Sequence, residues 1–446
     1  MAQHIRLPLL ARRAALLAPL ALTGCSMIEG WFTTKKTPLP GKRELVISAR
    51  NGLVPDPAAP KVSLPPPVRN AGWPQAGGNP PHLMGHLEAN ANLTEAWRAD
   101  IGRGGGYRRV ILAQPVVSAG RVFAMDSAGA VSAFQLSNGE RIWRAKTRRE
   151  NDDSTNVGGG LAEANGVLYA VNGLAELVAF DSATGNVKWR RDIDAPARSA
   201  PTVVEGRLFC LTIDDRLLAL TTTSGRQIWQ YQASNATTAM LGRPAPAYAN
   251  GLLVAGFASG DLACLRADTG TVVWTDNLAT ETGPANLANF SSIRGRPVIA
   301  NDEVLAIGLG GEAVGIDLPS GRRLWQKNVA SVNSPWVAGT WMFIVSADQK
   351  MAAISSSDGL VAWASQLPQW NNPANQKNAI SWFGPVLVRD RLVVAGTSRD
   401  ALSVSPYTGR ILSRQKLSAA AAPLEPVVAD GTLLIVSDDG RLLALR

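Results

Sequence analysis

Histidines, cysteines and paired aspartates are where chemistry would be sought in this 446-residue chain, and they are few. The three histidines stand at positions 4, 82 and 86, so nothing beyond residue 86 offers an imidazole as general base or metal ligand. His82 and His86 are four apart, a helical spacing, but Pro80, Pro81 and Gly85 argue against a helix. They read as solvated or locally packed residues. Cys210 and Cys264 read as small packing residues, and a disulfide between them would have to bridge two different strands. Asp214-Asp215 and Asp438-Asp439 fall in predicted strand-to-strand turns, without the converging oxygens a calcium ion needs. Gly104-Gly105-Gly106 and Gly158-Gly159-Gly160 precede no helix signal, so neither is a phosphate loop. Carboxylates distant in sequence could still meet in the fold, yet no motif positions a pair. The expectation is a chain with no catalytic residue, no metal and no cofactor.

Cys25 is the exception. Arg6, Arg12 and Arg13 form a positive n-region, and Ala14 to Leu22 a short apolar h-region. The run Leu22-Thr23-Gly24-Cys25 that follows resembles a bacterial lipobox, which implies cleavage before Cys25 and lipid attachment there. Ser26, rather than aspartate, then directs sorting to the outer membrane, with the protein facing the periplasm. Residues 1–24 are thus expected to be a lipoprotein signal. No later apolar run is long enough to span a bilayer. Eleven prolines lie between residues 26 and 81, so 25–90 reads as an extended tether with little packed core. Of the formal charge of +9, three units belong to the signal arginines and four to residues 25–81. About +2 remains on the rest, which gives no case for nucleic-acid binding.

Behind these residues lies a repeat. A tryptophan follows a glycine by four residues at Gly139/Trp143, Gly185/Trp189, Gly225/Trp229, Gly270/Trp274, Gly321/Trp325 and Gly359/Trp363, and Gly409 is followed by Ser413. Successive glycines are 46, 40, 45, 51, 38 and 50 residues apart. A period of roughly 40–50 residues built from short strands marks a β-propeller. Six residues before each glycine stands a small residue (Ala133, Ala179, Ala219, Cys264, Gly315, Ala353, Ser403), then an apolar one. Alternation along a strand would point the two to opposite faces. The last copy supplies three strands and stops, while a lone Trp97 waits upstream. Pairing the N-terminal strand with the C-terminal blade gives an all-β, eight-bladed propeller of four-stranded blades over 91–446. Seven blades would follow if the Gly409 unit is degenerate. The repeat tryptophans are expected to be structural, each covering the gap between two blades.

The pattern is fullest in Ala179-Phe180-Asp181-Ser182-Ala183-Thr184-Gly185-Asn186-Val187-Lys188-Trp189, which resembles the quinoprotein-type (PQQ) propeller repeat. Combined with the lipobox and the chain length, it resembles the BamB family of outer-membrane assembly lipoproteins. That resemblance implies a non-enzymatic scaffold that docks on the POTRA domains of BamA. Its companions would be other subunits of the β-barrel assembly (BAM) complex and nascent outer-membrane proteins. Family contacts come from loops around the third to fifth blades, here 235–246 and about 279–296. They carry Met240, Leu241, Arg243, Arg294 and Arg296, the two last being basic where the family leads one to expect acids. Met240 and Leu241 are either an exposed docking pair or the buried start of a strand. The alternative is a periplasmic quinoprotein enzyme or sensor, though the adjacent cysteine pair of those enzymes is missing. A third is a module binding unfolded chains or peptidoglycan.

Overall fold

The computed structural model describes residues 52–446 apart from 91, 107–108, 151–153, 235, 237–241 and 280–290. The signal, Cys25, Met240 and Leu241 therefore lie outside the described residues. Eight four-stranded antiparallel sheets form the blades of a propeller. In blade 2 the inner strand is Gly159–Ala164, followed outward by Val167–Asn172, Glu176–Asp181 and Val187–Asp192. Blades 1 to 7 repeat this order over 116–146, 159–192, 202–232, 247–277, 298–328, 336–366 and 382–416. Blade 8 takes three strands from 427–445 and its outer strand from Glu95–Asp100, which pairs with Arg441–Leu445. Thr94 and Arg446 exchange both backbone hydrogen bonds where the two ends meet (2.9 and 2.8 Å). The expected closure and blade number are those observed.

The repeat has a steric explanation. Each small residue except Ser403 lies directly opposite a tryptophan across the third and fourth strands: for example, Ala219 opposite Trp229, Cys264 opposite Trp274, Gly315 opposite Trp325 and Ala444 opposite Trp97. A Cβ on Gly315 would come within 2.3 Å of the Trp325 ring nitrogen. In blades 1 to 7 the register shifts by one residue just after this pair, a bulge that tips the indole toward the neighbouring blade. There the ring lies on the turn glycine of the next blade. Trp97 covers Gly139, Trp143 covers Gly185, Trp189 covers Gly225 and Trp229 covers Gly270. Trp274 covers Gly321, Trp325 covers Gly359 and Trp363 covers Gly409. A Cβ at these glycines would stand 2.4–2.9 Å from the ring, and their φ of +66° to +76° already disfavours any other residue. Each indole N–H also donates to the carbonyl three residues before that glycine, at 2.5–3.2 Å. Trp229 reaches Ala267 in this way, and Trp274 reaches Leu318. Burial differs along the series: Trp274, Trp325 and Trp363 are buried, whereas Trp97, Trp143, Trp189 and Trp229 are only partly so. One side chain thus fixes glycine, turn and neighbour together.

Ser413 breaks the pattern for the same reason. On the ring it faces blade 8, whose third and fourth strands are opposite ends of the chain and so have no connecting turn. An indole there would have no glycine to cover. That joint is held instead by the continuous apolar core shared by blades 7, 8 and 1, which includes Val393, Leu434 and Phe134.

The expected tether is corrected for residues 52–90, which pack on the ring. Leu53, Val62, Trp73 and Leu87 are buried in the blade cores. From Asn70 to Leu87 the segment meets the inner strand of every blade in turn. Trp73 bridges to Val117, and Gln75 to Ala162 and, through its side chain, to the Val203 N–H (2.9 Å). The carbonyls of Pro80 and Pro81 accept from Tyr248 and Ile299, and that of Gly85 from the Trp336 ring (2.8–2.9 Å). Leu87 pairs with Val388, and Asn70 with blade 8. Inner strands present unpaired backbone toward the axis, and this strap satisfies it. Proline suits the task, because it offers a carbonyl and leaves no N–H orphaned. Proline content hid this packing, since the strap's apolar partners all belong to the blades. His86 is held by it too, its ring nitrogens facing the carbonyls of Pro65 (2.6 Å) and Arg389 (2.5 Å).

Two outcomes test the joint. Trp325→Ala should lower unfolding free energy by about 3–5 kcal/mol in urea titration, whereas Trp325→Phe should lose about 1 kcal/mol for the missing N–H. Ser413→Trp should change stability by less than about 0.5 kcal/mol, and a clear gain would refute the explanation of the missing indole.

Candidate functional site

The strap runs past the inner strands around the axis. Beside it, the connections that lead from outer strands into the next inner strands surround the mouth of the axial channel. At this mouth is a cavity of about 60 Å³ with Ala76 of the strap among its lining residues. Its walls carry four arginines. Arg198, Arg243 and Arg294 each stand four residues before the inner strand of blades 3, 4 and 5, at Thr202–Val204, Ala247–Ala249 and Val298–Ala300. Arg296, Gln114 and Glu425 each stand two residues before an inner strand, in blades 5, 1 and 8. Repeat symmetry therefore sets the ring of side chains.

Two of the four cations are neutralised. Arg296 meets Glu425 at 2.9 Å, and the second carboxylate oxygen accepts the Ser334 N–H at 2.9 Å. Burial works against the Glu425 charge, but Arg296 and Ser334 outweigh it and hold the carboxyl at about 2. Arg243 lies 3.2 Å from Asp215, both side chains being almost fully buried. Burial lowers the Arg243 guanidinium and raises the Asp215 carboxyl, each effect opposed by the partner's charge. Guanidinium basicity is so high that the pair stays ionised at neutral pH. Arg198 donates to the Val157 carbonyl and Arg294 to the Pro423 carbonyl, both at 3.2 Å. Neither meets a carboxylate at salt-bridge distance among the described residues. Burial lowers both guanidiniums, and for Arg198 the charge of Arg243 adds to the effect.

His82 lies beneath, with Nδ1 2.7 Å from the Pro297 carbonyl and Nε2 without a hydrogen-bond partner among the described residues. Burial, helped by the Arg296 charge, lowers its pKa to about 3, so it is neutral. It is locally packed, one of the two expected alternatives. The other expected sites divide clearly. Arg243, Arg294 and Arg296 come together in the wall of the cavity. The repeat tryptophans stand apart from the mouth: none of Trp97, Trp143, Trp189, Trp229, Trp274, Trp325 and Trp363 lines the cavity. All seven sit at blade joints on outer strands, as a structural role requires. Cys210 and Cys264 are free, buried thiols in the second strand of blade 3 and the third of blade 4, each pushed up to about 12 by burial. Arg198, Gln114 and Glu425 were not singled out from sequence, and Asp215 was weighed only as a calcium ligand, not as a partner of Arg243. Counting back from each inner strand would have aligned the arginines, but that register needs the strand ends.

Among the described residues no three His, Cys, Asp or Glu side chains are grouped to hold a metal. The carboxylate in the cavity wall, Glu425, is spent on Arg296 and Ser334. The mouth therefore does not fit the calcium-bound quinone that a quinoprotein-type propeller suggests. No described helix is long and apolar enough to cross a membrane.

Blade number, the glycine–tryptophan repeat and the closure define an eight-bladed propeller of the PQQ-repeat class. The family profile described as "Outer membrane protein assembly factor BamB" matches residues 127–365, more than half of the chain, and the chain belongs to that family. A relative of that name from Salmonella typhimurium is 27% identical over 365 residues, covering 80% of this chain and 90% of its own. The crystal structure of BamB from Moraxella catarrhalis superposes with a TM-score of 0.68 at 18% identity, over 79% of this chain and 99% of that one. Quinohemoprotein alcohol dehydrogenase from Comamonas testosteroni gives 0.65 at 13% identity, over 85% and 81%, a likeness of fold alone.

The neutral state of His82 has a measurable consequence. Its pKa is about 6.5 unfolded and about 3 folded, so stability is complete above pH 6.5 and falls as pH drops toward 3. By pH 5 the loss should reach about 2 kcal/mol, before Glu425 contributes. Urea titrations at pH 7.5 and 5.0 should show it, with His82→Gln losing most of the difference; an unchanged difference would count against a buried neutral imidazole.

Proposed function

We propose that this chain is a non-enzymatic scaffold of the outer-membrane β-barrel assembly machinery. Lipid on Cys25 holds it at the periplasmic side of the outer membrane. The loop-bearing face around the arginine-lined mouth docks on the POTRA domains of BamA and so assists barrel assembly. The observation that carries this reading is family membership across more than half of the chain. The architecture supports it: connections on that face are the parts of the ring free to differ from blade to blade. One of them, between blades 6 and 7, is a projecting hairpin of Trp370–Asn372 and Lys377–Ala379, exposed over most of its length. Met240 and Leu241 belong to another such connection, beside Arg243.

The arrangement favours docking over turnover. The strap contributes Ala76 to the mouth, the wall carboxylate Glu425 is engaged, and His82 is neutral and buried. A quinoprotein enzyme would need donors for calcium and quinone that these residues do not supply.

Affinity purification of the lipidated protein from membranes in mild detergent, with mass spectrometry of the eluate, tests the reading. Near-equal recovery of BamA is expected, and Cys25→Ala should shift the protein from the membrane fraction to the soluble periplasm. Recovery of the protein alone, with a quinone-like absorbance, would overturn it.

A further inference from the structure

We propose that the channel mouth is a binding site for a small tetrahedral oxyanion of the phosphate class, held by Arg198 and Arg294 on either side of the ion-paired Arg243. The ring geometry brings these residues together, since they occupy one repeat position in three consecutive blades. The Arg243 N–H donates to the Arg198 carbonyl at 2.9 Å, and Gly242 lies against the Arg294 guanidinium. Adjacent like charges in a recessed wall are costly unless an anion joins them. Four guanidiniums face two carboxylates, and both carboxylates are already engaged by Arg243 and Arg296. Arg198 and Arg294 use one donor each on a backbone carbonyl among the described residues, which leaves most of each planar fork for a ligand.

Size and shape select the ligand. A cavity of about 60 Å³ has room for about four water-sized groups, the content of one tetrahedral oxyanion. It is recessed, with Ala76 of the strap in its lining, so a partner's acidic side chain would have to reach down past the rim, whereas a free ion or a phosphate group on a slender stem fits directly. Gln114 shares the wall; its Oε1 accepts from Trp73 and Gly77 (3.3 and 3.0 Å) and its Nε2 donates to the Glu425 carbonyl (3.2 Å). This binding does not depend on the docking role and would stand without it.

Calorimetric titration of the full lipidated protein in detergent, at ionic strength fixed with sodium chloride, tests the site. Inorganic phosphate should bind saturably at one per chain, and the double variant Arg198→Gln, Arg294→Gln should weaken it at least tenfold. Glutamine removes the charge but is shorter and gives up the bonds to the Val157 and Pro423 carbonyls, so the double variant Arg198→Lys, Arg294→Lys, which gives up the same bonds and keeps the charge, should melt like the glutamine variant yet still bind phosphate. That control separates lost binding from lost folding. Glycerol 3-phosphate binding in parallel would identify a head-group source, and its exclusion the free ion; either accompanies a real site. Heats no larger than those of matched chloride, or equal phosphate affinity in the glutamine variant, would overturn the proposal.

Discussion

The indole of one blade lying on the turn glycine of the next is the contact on which the ring depends. Blades of a propeller touch only their neighbours, so the fold is as strong as its joints. Seven of the eight joints combine packed aromatic area, a hydrogen bond to a turn carbonyl and a glycine that cannot be replaced without a clash. These three requirements explain the residues at three sequence positions at once. They also explain why the pattern lapses at Ser413, where the neighbouring blade is assembled from both ends of the chain.

The same symmetry that spaces the tryptophans spaces the arginines. A residue four before the inner strand arrives at the channel wall in blades 3, 4 and 5, so three arginines far apart in sequence become a crescent. Their charge is managed unevenly. Arg243 is held by Asp215, while Arg198 and Arg294 rest on backbone carbonyls and the neighbouring Arg296 takes Glu425. Electrostatic character at the mouth therefore comes from repeat geometry combined with two carboxylates from non-equivalent positions.

Much of this architecture was legible in the chain. Spacing of Gly and Trp located seven repeats, and the orphan Trp97 with the three-stranded last copy dictated closure, because both are local signals. The indoles of Trp229 and Trp274 were placed at joints by spacing alone, but their hydrogen bonds to Ala267 and Leu318 needed the neighbouring blade. The strap was not legible. Its prolines and low apolar content describe an extended segment correctly, but not that its partners are the inner strands of eight blades. The mouth was half legible: Arg243, Arg294 and Arg296 were found through their loops, whereas Asp215 joins Arg243 from a turn of blade 3 and Glu425 reaches Arg296 from blade 8.

The strap also orders events in time. Residues 70–87 are synthesised early, yet the inner strands they join are spread over positions 117 to 430. The outer strand at 95–100 likewise waits for 441–445. Such long sequence separations slow folding, because loop entropy is lost before the contacts form. Rim and hub can therefore be sealed only once nearly the whole chain has emerged, so that a truncated chain cannot complete the ring.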